Sequence, residues 1–303
     1  LFDTLKTNRY STARRKHMKI ISSMIYFTIA LAMCSVAQGE DICKLKFAPL
    51  PMEKRETIVK QFKPMFYYLH KQTGCEIEFE YSDNYSEILE KIKSGKVDLA
   101  YLGPLPYVTL TKEYKEASPL VYFKEPSGEP KYTCCVIENE NDPINIEKSK
   151  KLKIALTQPL STCGYLSTNG LLREKGNSLN RNLYRYLDRH DDVALAVARG
   201  EYDAGGLKTA IAKRYTHLGL KIIDETDPLP GFALVINQRT VSKEITNKIL
   251  EALVSLDPTG KDAETVSSWG ANIKFGVTTA NDNDYDVVRK LLGHDALPET
   301  GNF

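Results

Sequence analysis

The sequence predicts an α/β protein built of two similar lobes. Three observations carry that reading. Short β-rich runs alternate with helix-spaced apolar positions from Cys43 onward, the same alternation restarts after the polar stretch 138–151, and extended runs near 132–138 and 231–237 have the form of crossovers between the two modules. Repeated β-α-β order calls for mostly parallel sheets flanked by helices. Because the second module sits inside the chain, the first lobe is expected to be discontinuous, 40–136 with 237–303 around a second lobe of 137–236, and the two crossovers form a two-segment hinge.

In the first module, residues 44–50 are strand-like and 53–71 carry Ile58, Val59, Phe62, Met65, Phe66 and Leu69 at helical spacing. A strand follows at 76–81, where Ile77, Phe79 and Tyr81 alternate. A helix at 85–93 places Ile88, Leu89 and Ile92 on one face and ends at Gly95, and 97–102 reads as a buried strand. Gly103-Pro104-Leu105-Pro106-Tyr107 then reads as a rigid turn that sets an aromatic at a strand's carboxyl end. In the second module, strands are expected at 152–156, 182–187, 202–205 and 220–223, with helices at 164–175, 191–199 and 209–215. The run 232–237 is a final strand leading into an amphipathic helix at 243–256.

The 303 residues are 42% hydrophobic and 26% charged, the balance of a globular protein rather than a fibrous or disordered one. Net charge is +2, but residues 1–39 hold six basic side chains against one acid, so the remainder carries 35 basic against 38 acidic groups, net −3. No basic stripe is present of the kind that neutralises a phosphate backbone, which excludes a nucleic-acid binder.

From Met18 the sequence reads as an export signal: a short charged segment, an apolar run over 20–33, and small residues before two cuts, after Ala37 or after Gly39. The run falls short of the ~20 apolar residues of a spanning helix. A lipoprotein site at Leu31-Ala32-Met33-Cys34 is disfavoured by the bulk of Met33, and residues 1–17 read as upstream sequence with no part in the fold. The processed chain is expected outside the cytoplasm, as a monomer, in an oxidising compartment. Five cysteines remain there, so at least one thiol stays free. Cys43 and Cys75 each open a strand and can pair if those strands are neighbours, whereas Cys134 and Cys135 face opposite sides of one strand. The spacings match no metal site, and no cofactor is expected.

Ligands of open α/β sheets bind beyond the carboxyl ends of the strands. Thr157 to Gly164 is such a place, with Ser161, Thr162 and Cys163 at the expected start of a helix; taken alone, the hydroxyls would be no more than an N-cap. His190 follows a strand and precedes Asp191-Asp192 at the next helix start, on the same rim if the two units are neighbours. A histidine that donates to an anion is favoured as the imidazolium. Ligand would then raise its pKa above ~6.5, and affinity would fall with rising pH.

The chain resembles the extracytoplasmic solute-binding proteins of the phosphate, phosphite and phosphonate ABC transporter family over residues 44–292. The marks are Asn84-Tyr85-Ser86-Glu87-Ile88-Leu89, the run from Lys96 through Asp98-Leu99-Ala100-Tyr101 to Val108, Ser161-Thr162-Cys163-Gly164, His190-Asp191, Ala196 to Gly205, and Asn283-Asp284-Tyr285-Asp286. The resemblance implies the type II periplasmic-binding-protein fold, a small phosphorus oxyanion (phosphate, phosphite or alkylphosphonate) in the interlobe cleft, and a permease as partner. It assigns Tyr85 and Tyr132 to the cleft wall, Ser161 and Thr162 to the anion-binding turn and His190 to the phosphonate, and Tyr107 joins them as an expected ligand contact. Two departures stand out. Cys163 replaces a third hydroxyl with a poor donor, and the stretch from Gly205 to Thr209 lacks the acidic residue that aminophosphonate binders use for the ammonium group. Two other readings use the same residues. One is a ligand-sensing partner of a membrane sensor kinase; the other is an enzyme with Cys163 as thiolate nucleophile and His190 as base.

Overall fold

The computed structural model describes residues 43–293 and 296–303. The export signal expected within 1–39 lies outside the described residues. Among those described, no helix is long and apolar enough to cross a membrane.

The chain begins with β1 (Lys44–Pro49), α1 (Arg55–Thr73), β2 (Glu76–Phe79), α2 (Tyr85–Lys93), β3 (Leu99–Leu102), α3 (Pro104–Glu113) and β4 (Ala117–Phe123). A short strand β5 (Lys131–Tyr132) leads to β6 (Cys134–Asn139), β7 (Lys153–Leu156), a helical turn at Thr162–Leu166, α4 (Ser167–Glu174), β8 (Leu183–Tyr186), α5 (His190–Ala198), β9 (Ala204–Lys208), α6 (Thr209–Ala212) and β10 (Leu220–Glu225). The chain returns through β11 (Leu229–Pro230) to β12 (Ala233–Asn237), α7 (Lys243–Val254), α8 (Ala263–Ser267), β13 (Val277–Thr279) and α9 (Asp286–Leu292).

A six-stranded sheet runs β13-β4-β12-β3-β1-β2 and a five-stranded sheet runs β10-β6-β9-β7-β8. The β-α-β units supply the parallel pairs, β1 with β2 and β3 and β7 with β8 and β9. Strands entering from the other lobe are antiparallel, β12 to β3 and β6 to β9, because they arrive from the hinge side, where the parallel strands end.

The hinge is the pair β5–β11, so the crossovers fall earlier than the sequence suggests. All of β6 from Cys134 belongs to the second sheet and all of β12 from Ala233 to the first. The expected division after 136 and after 236 is corrected accordingly. The end of the chain also departs from the expected first lobe: Asn302 N–H donates to the Tyr184 carbonyl (3.0 Å) and Tyr184 N–H to Asn302 Oδ1 (2.7 Å), so the tail lies along β8 of the second sheet.

Rings of Phe62 and Phe66 pack against Phe47, each with centroids 5.0 Å away, and fix α1 on the first sheet. In the second sheet the decisive feature is β9. A Cβ on Gly205 would lie 2.7 Å from Val193 of α5, and one on Gly206 would lie 1.8 Å from Thr168 of α4. Only glycine lets both helices approach this closely, and their starting turns, which carry His190 and Ser161-Thr162, come to one rim.

Candidate functional site

Four segment starts converge on one small cavity: Tyr85 at the head of α2, Gly103 and Pro106 at the head of α3, Thr162 at the turn after β7, and His190 at the head of α5. Its volume is about 10 Å³, and it is completed by Leu50, Tyr132, Ser161, Cys163 and Phe232. None of these side chains bears a formal charge once His190 is neutral. A bound anion would be met by hydrogen-bond donors and by the positive ends of α2 and α5.

The hydroxyls of Tyr85 and Tyr132 are buried and lack a hydrogen-bond partner among the described residues. Ser161 lies beside the first and Thr162 beside the second. Burial raises both phenols well above their ordinary value, so they stay protonated and available as donors. An orphaned buried hydroxyl is costly, and two aimed into one cavity call for a ligand that accepts from both. Thr162 Oγ1 accepts from Leu105 N–H of the first lobe (3.0 Å), which leaves its own proton for another acceptor.

His190 is fully enclosed, and its state is fixed by its neighbours. Lys208 N–H donates to Nδ1 (3.0 Å), so the ring proton sits on Nε2. Burial first, then the charges of Lys208 and Arg214, push its pKa down to about 3. The structure speaks against the imidazolium expected from the sequence: a ring whose Nδ1 accepts from a backbone N–H offers Nε2–H as a neutral donor.

Two further expectations are corrected. Cys163 is bonded to Cys134 and has no thiol to donate or to attack with; the residue forms part of the wall. Tyr107 does not reach the cavity. What reads as a rigid turn is the first turn of α3, where proline is tolerated because those N–H groups have no helical partner. This turns Tyr107 toward the end of the chain, where its hydroxyl donates to Asp282 Oδ1 (2.6 Å) and its ring packs 4.5 Å from that of Tyr285. The structure brings Tyr85, Tyr132, Ser161, Thr162, Cys163 and His190 together.

Sequence reasoning missed the apolar side of the cavity, Leu50, Pro106 and Phe232, whose residue types are those of any core. It also missed what stands behind it. Lys208, 0% exposed, lies 5.4 Å from the Tyr132 ring and 4.9 Å from the Phe232 ring, with Nζ 2.5 Å from Glu125.

The lobes are closed over this cavity. His190 N–H donates to the Met52 carbonyl (3.0 Å), Tyr85 N–H donates to Gln158 Oε1 (2.8 Å), and Arg214 pairs with Glu53 (3.0 Å).

The phosphate-import protein PhnD of Mycolicibacterium smegmatis is 27% identical to this chain over 91% of it and 96% of the relative. The phosphonates-binding periplasmic protein of Escherichia coli is 23% identical over 83% and 78%. Among solved structures, PhnD1 from Prochlorococcus marinus in complex with methylphosphonate superposes with a TM-score of 0.72 at 18% identity, covering 83% of this chain and 98% of that one. A binding-protein component of an ABC phosphonate transporter from Pseudomonas aeruginosa gives 0.72 at 20%, covering 83% and 86%. These two likenesses establish the two-lobed fold. The family model for the periplasmic substrate-binding protein of phosphonate ABC transporters matches residues 47–285, a span that holds every cavity residue, and this chain belongs to that family.

Proposed function

We propose that the protein captures a small phosphorus oxyanion, namely phosphate, phosphite or a short alkylphosphonate, and presents it in the closed form to an ABC-transporter permease. One observation carries the reading. Two buried tyrosine hydroxyls without partners among the described residues converge with Ser161, Thr162 and a neutral histidine on a small uncharged cavity. In this reading Tyr85, Tyr132, Ser161, Thr162 and His190 Nε2–H donate to the oxyanion. Leu50, Pro106 and Phe232 face whatever the phosphorus carries in place of an oxygen.

The ammonium of Lys208 lies behind the rings of Tyr132 and Phe232, where an amino-bearing ligand would meet a like charge whose acidic partner, Glu125, is already engaged. Aminoalkylphosphonates are therefore expected to bind more weakly than methylphosphonate. No catalysis is needed, and the disulfide at Cys163 removes the nucleophile of the enzyme reading. The protein acts as a monomer, exported by the signal at 18–39.

Calorimetry against phosphate, phosphite, methylphosphonate and 2-aminoethylphosphonate tests this. Tight binding is expected for at least one of the first three. Ligand at 100 times its dissociation constant should stabilise the fold by about 2.7 kcal/mol in a melting experiment. Absence of both heat and thermal shift with all four would overturn the reading.

A further inference from the structure

We infer that Gln158, which donates nothing to the cavity, latches the closed form and positions Tyr85; the inference rests on the binding function proposed above. Gln158 stands one residue beyond Thr157 at the carboxyl end of β7 and is 2% exposed. Its side chain crosses to the first lobe and uses both ends of its amide. Oε1 accepts from Tyr85 N–H (2.8 Å) and Nε2 donates to the Asp83 carbonyl (2.9 Å).

The carbonyl of one residue and the N–H two residues later face the same way in extended backbone, so a primary amide bridges them as a peptide group of a neighbouring strand would. Tyr85 N–H is also one of the first of α2, which lack a partner within their own helix. Gln158 therefore fills a bonding vacancy on the first lobe that opens whenever the lobes part.

Its backbone links this bridge to the other lobe's donors. The Gln158 carbonyl accepts from Ser161 N–H (2.9 Å) in the turn that carries Ser161 and Thr162. One residue thus sets the head of α2, bearing Tyr85, against the turn bearing the two hydroxyls. Its place in the path is equally specific. Tyr85 lines both the inner cavity and an outer groove, whereas Gln158 lines the outer groove only, together with Asn84, Ser86, Thr109 and Lys112. The Gln158 bridge thus stands on the groove side of Tyr85, the residue that the cavity and the groove share.

A latch of this kind acts on release more than on capture, because its bonds form after the anion has entered. The test compares the wild type with Gln158→Met, which keeps length and bulk without the amide, using methylphosphonate and phosphate as probes in rapid-mixing experiments. The dissociation rate constant is expected to rise about tenfold or more, from two hydrogen bonds lost, while the association rate constant changes by less than about threefold. An unchanged dissociation rate, or a loss carried wholly by association, would overturn the inference.

If the wild type binds neither anion, the latch is read separately in the ligand-free protein. Gln158→Met should then accelerate hydrogen exchange at the Tyr85 amide and raise the radius of gyration. Wild-type values for both in the variant would overturn the latch itself.

Discussion

The two disulfides are the same chemical link and close loops of similar length, with sequence separations of 32 and 29, yet they hold different things. Cys43–Cys75 joins the residues just before β1 and β2, at the amino ends of strands already paired from Lys44 to Phe47, and the cavity lies beyond the opposite ends. Cys134–Cys163 joins the first residue of β6, two positions past the hinge strand, to the turn that presents Ser161 and Thr162. Chain entropy makes each worth about 3–4 kcal/mol of stability. Stabilising a lobe and positioning a proposed donor should therefore be separable here, and the difference between the links is what their removal does to ligand.

The largest effect is expected from the groups that the second link positions. Replacing Ser161 and Thr162 together with alanine should cost ~3–6 kcal/mol of binding free energy, at ~1.5–3 kcal/mol for each hydrogen bond to a charged group. The Thr162 change also removes the acceptor for Leu105 N–H, so part of the loss belongs to closure rather than to direct contact. Calorimetry on the double variant measures it. Unchanged affinity would reduce the turn to a helix cap and remove the distinction between the disulfides.

The links themselves come next. Cys43→Ala with Cys75→Ala and Cys134→Ala with Cys163→Ala should lower stability by similar amounts, about 3 kcal/mol each in denaturant titrations. Only the second pair should weaken ligand binding, by about tenfold, the worth of one misplaced bond to a charged group. Equal affinity losses in the two variants would break the comparison.

What the sequence made legible follows the same division. The alternation of β and helical patterns, the two lobes and the rim carrying Ser161, Thr162 and His190 are readable because periodicity reports which face is buried. The place of Tyr107 is not legible, because Gly103-Pro104-Leu105-Pro106 spells a turn and proline in a first helical turn spells the same thing. The crossovers were set late because β5 and β11 are two residues each, too short for any period. The Cys134–Cys163 pairing, the neutral state of His190 and the bridge by Gln158 depend on contacts between segments 18 to 75 positions apart, which no local pattern encodes.

His190 sharpens the comparison from the electrostatic side, since it is a second proposed donor of that lobe held in place, here by a backbone N–H. Its folded pKa of about 3 lies below the ~6.5 of an exposed side chain. The unfolded chain therefore takes up a proton between those values that the folded one refuses. Stability should fall as pH drops from ~6.5 toward 3, by up to about 1.4 kcal/mol per pH unit, and His190→Gln should remove that slope. In binding, the wild type and the Gln variant should show parallel pH profiles from about 5.5 to 8 once the ligand's own titration is subtracted, because neither presents an imidazolium. A wild-type affinity that falls more steeply with rising pH than the variant's would restore the charged ring.

The smallest effect is expected from the fastening at the end of the chain. The tail covers β8, the edge of the second sheet, through Asn302 to Tyr184 and Asn182, through Arg185 to the Phe303 carbonyl, and through the Tyr186 hydroxyl to the Pro298 carbonyl. A Cβ on Gly301 would lie 2.5 Å from the Tyr184 carbonyl, so the close approach depends on glycine at that point. Ending the chain after Leu297 should cost about 1–2 kcal/mol of stability, since these bonds are at most partly buried and water replaces them. It should also leave β8 with unpaired N–H and carbonyl groups, and such an edge recruits another strand. Sedimentation of the truncated protein is expected to show concentration-dependent association, while its affinity for methylphosphonate stays within about twofold of the full chain because the tail lines none of the inner cavity. If instead truncation weakens binding by tenfold with no association, the tail is holding the lobes together, and the positioning role now given to the second disulfide alone must be shared with it.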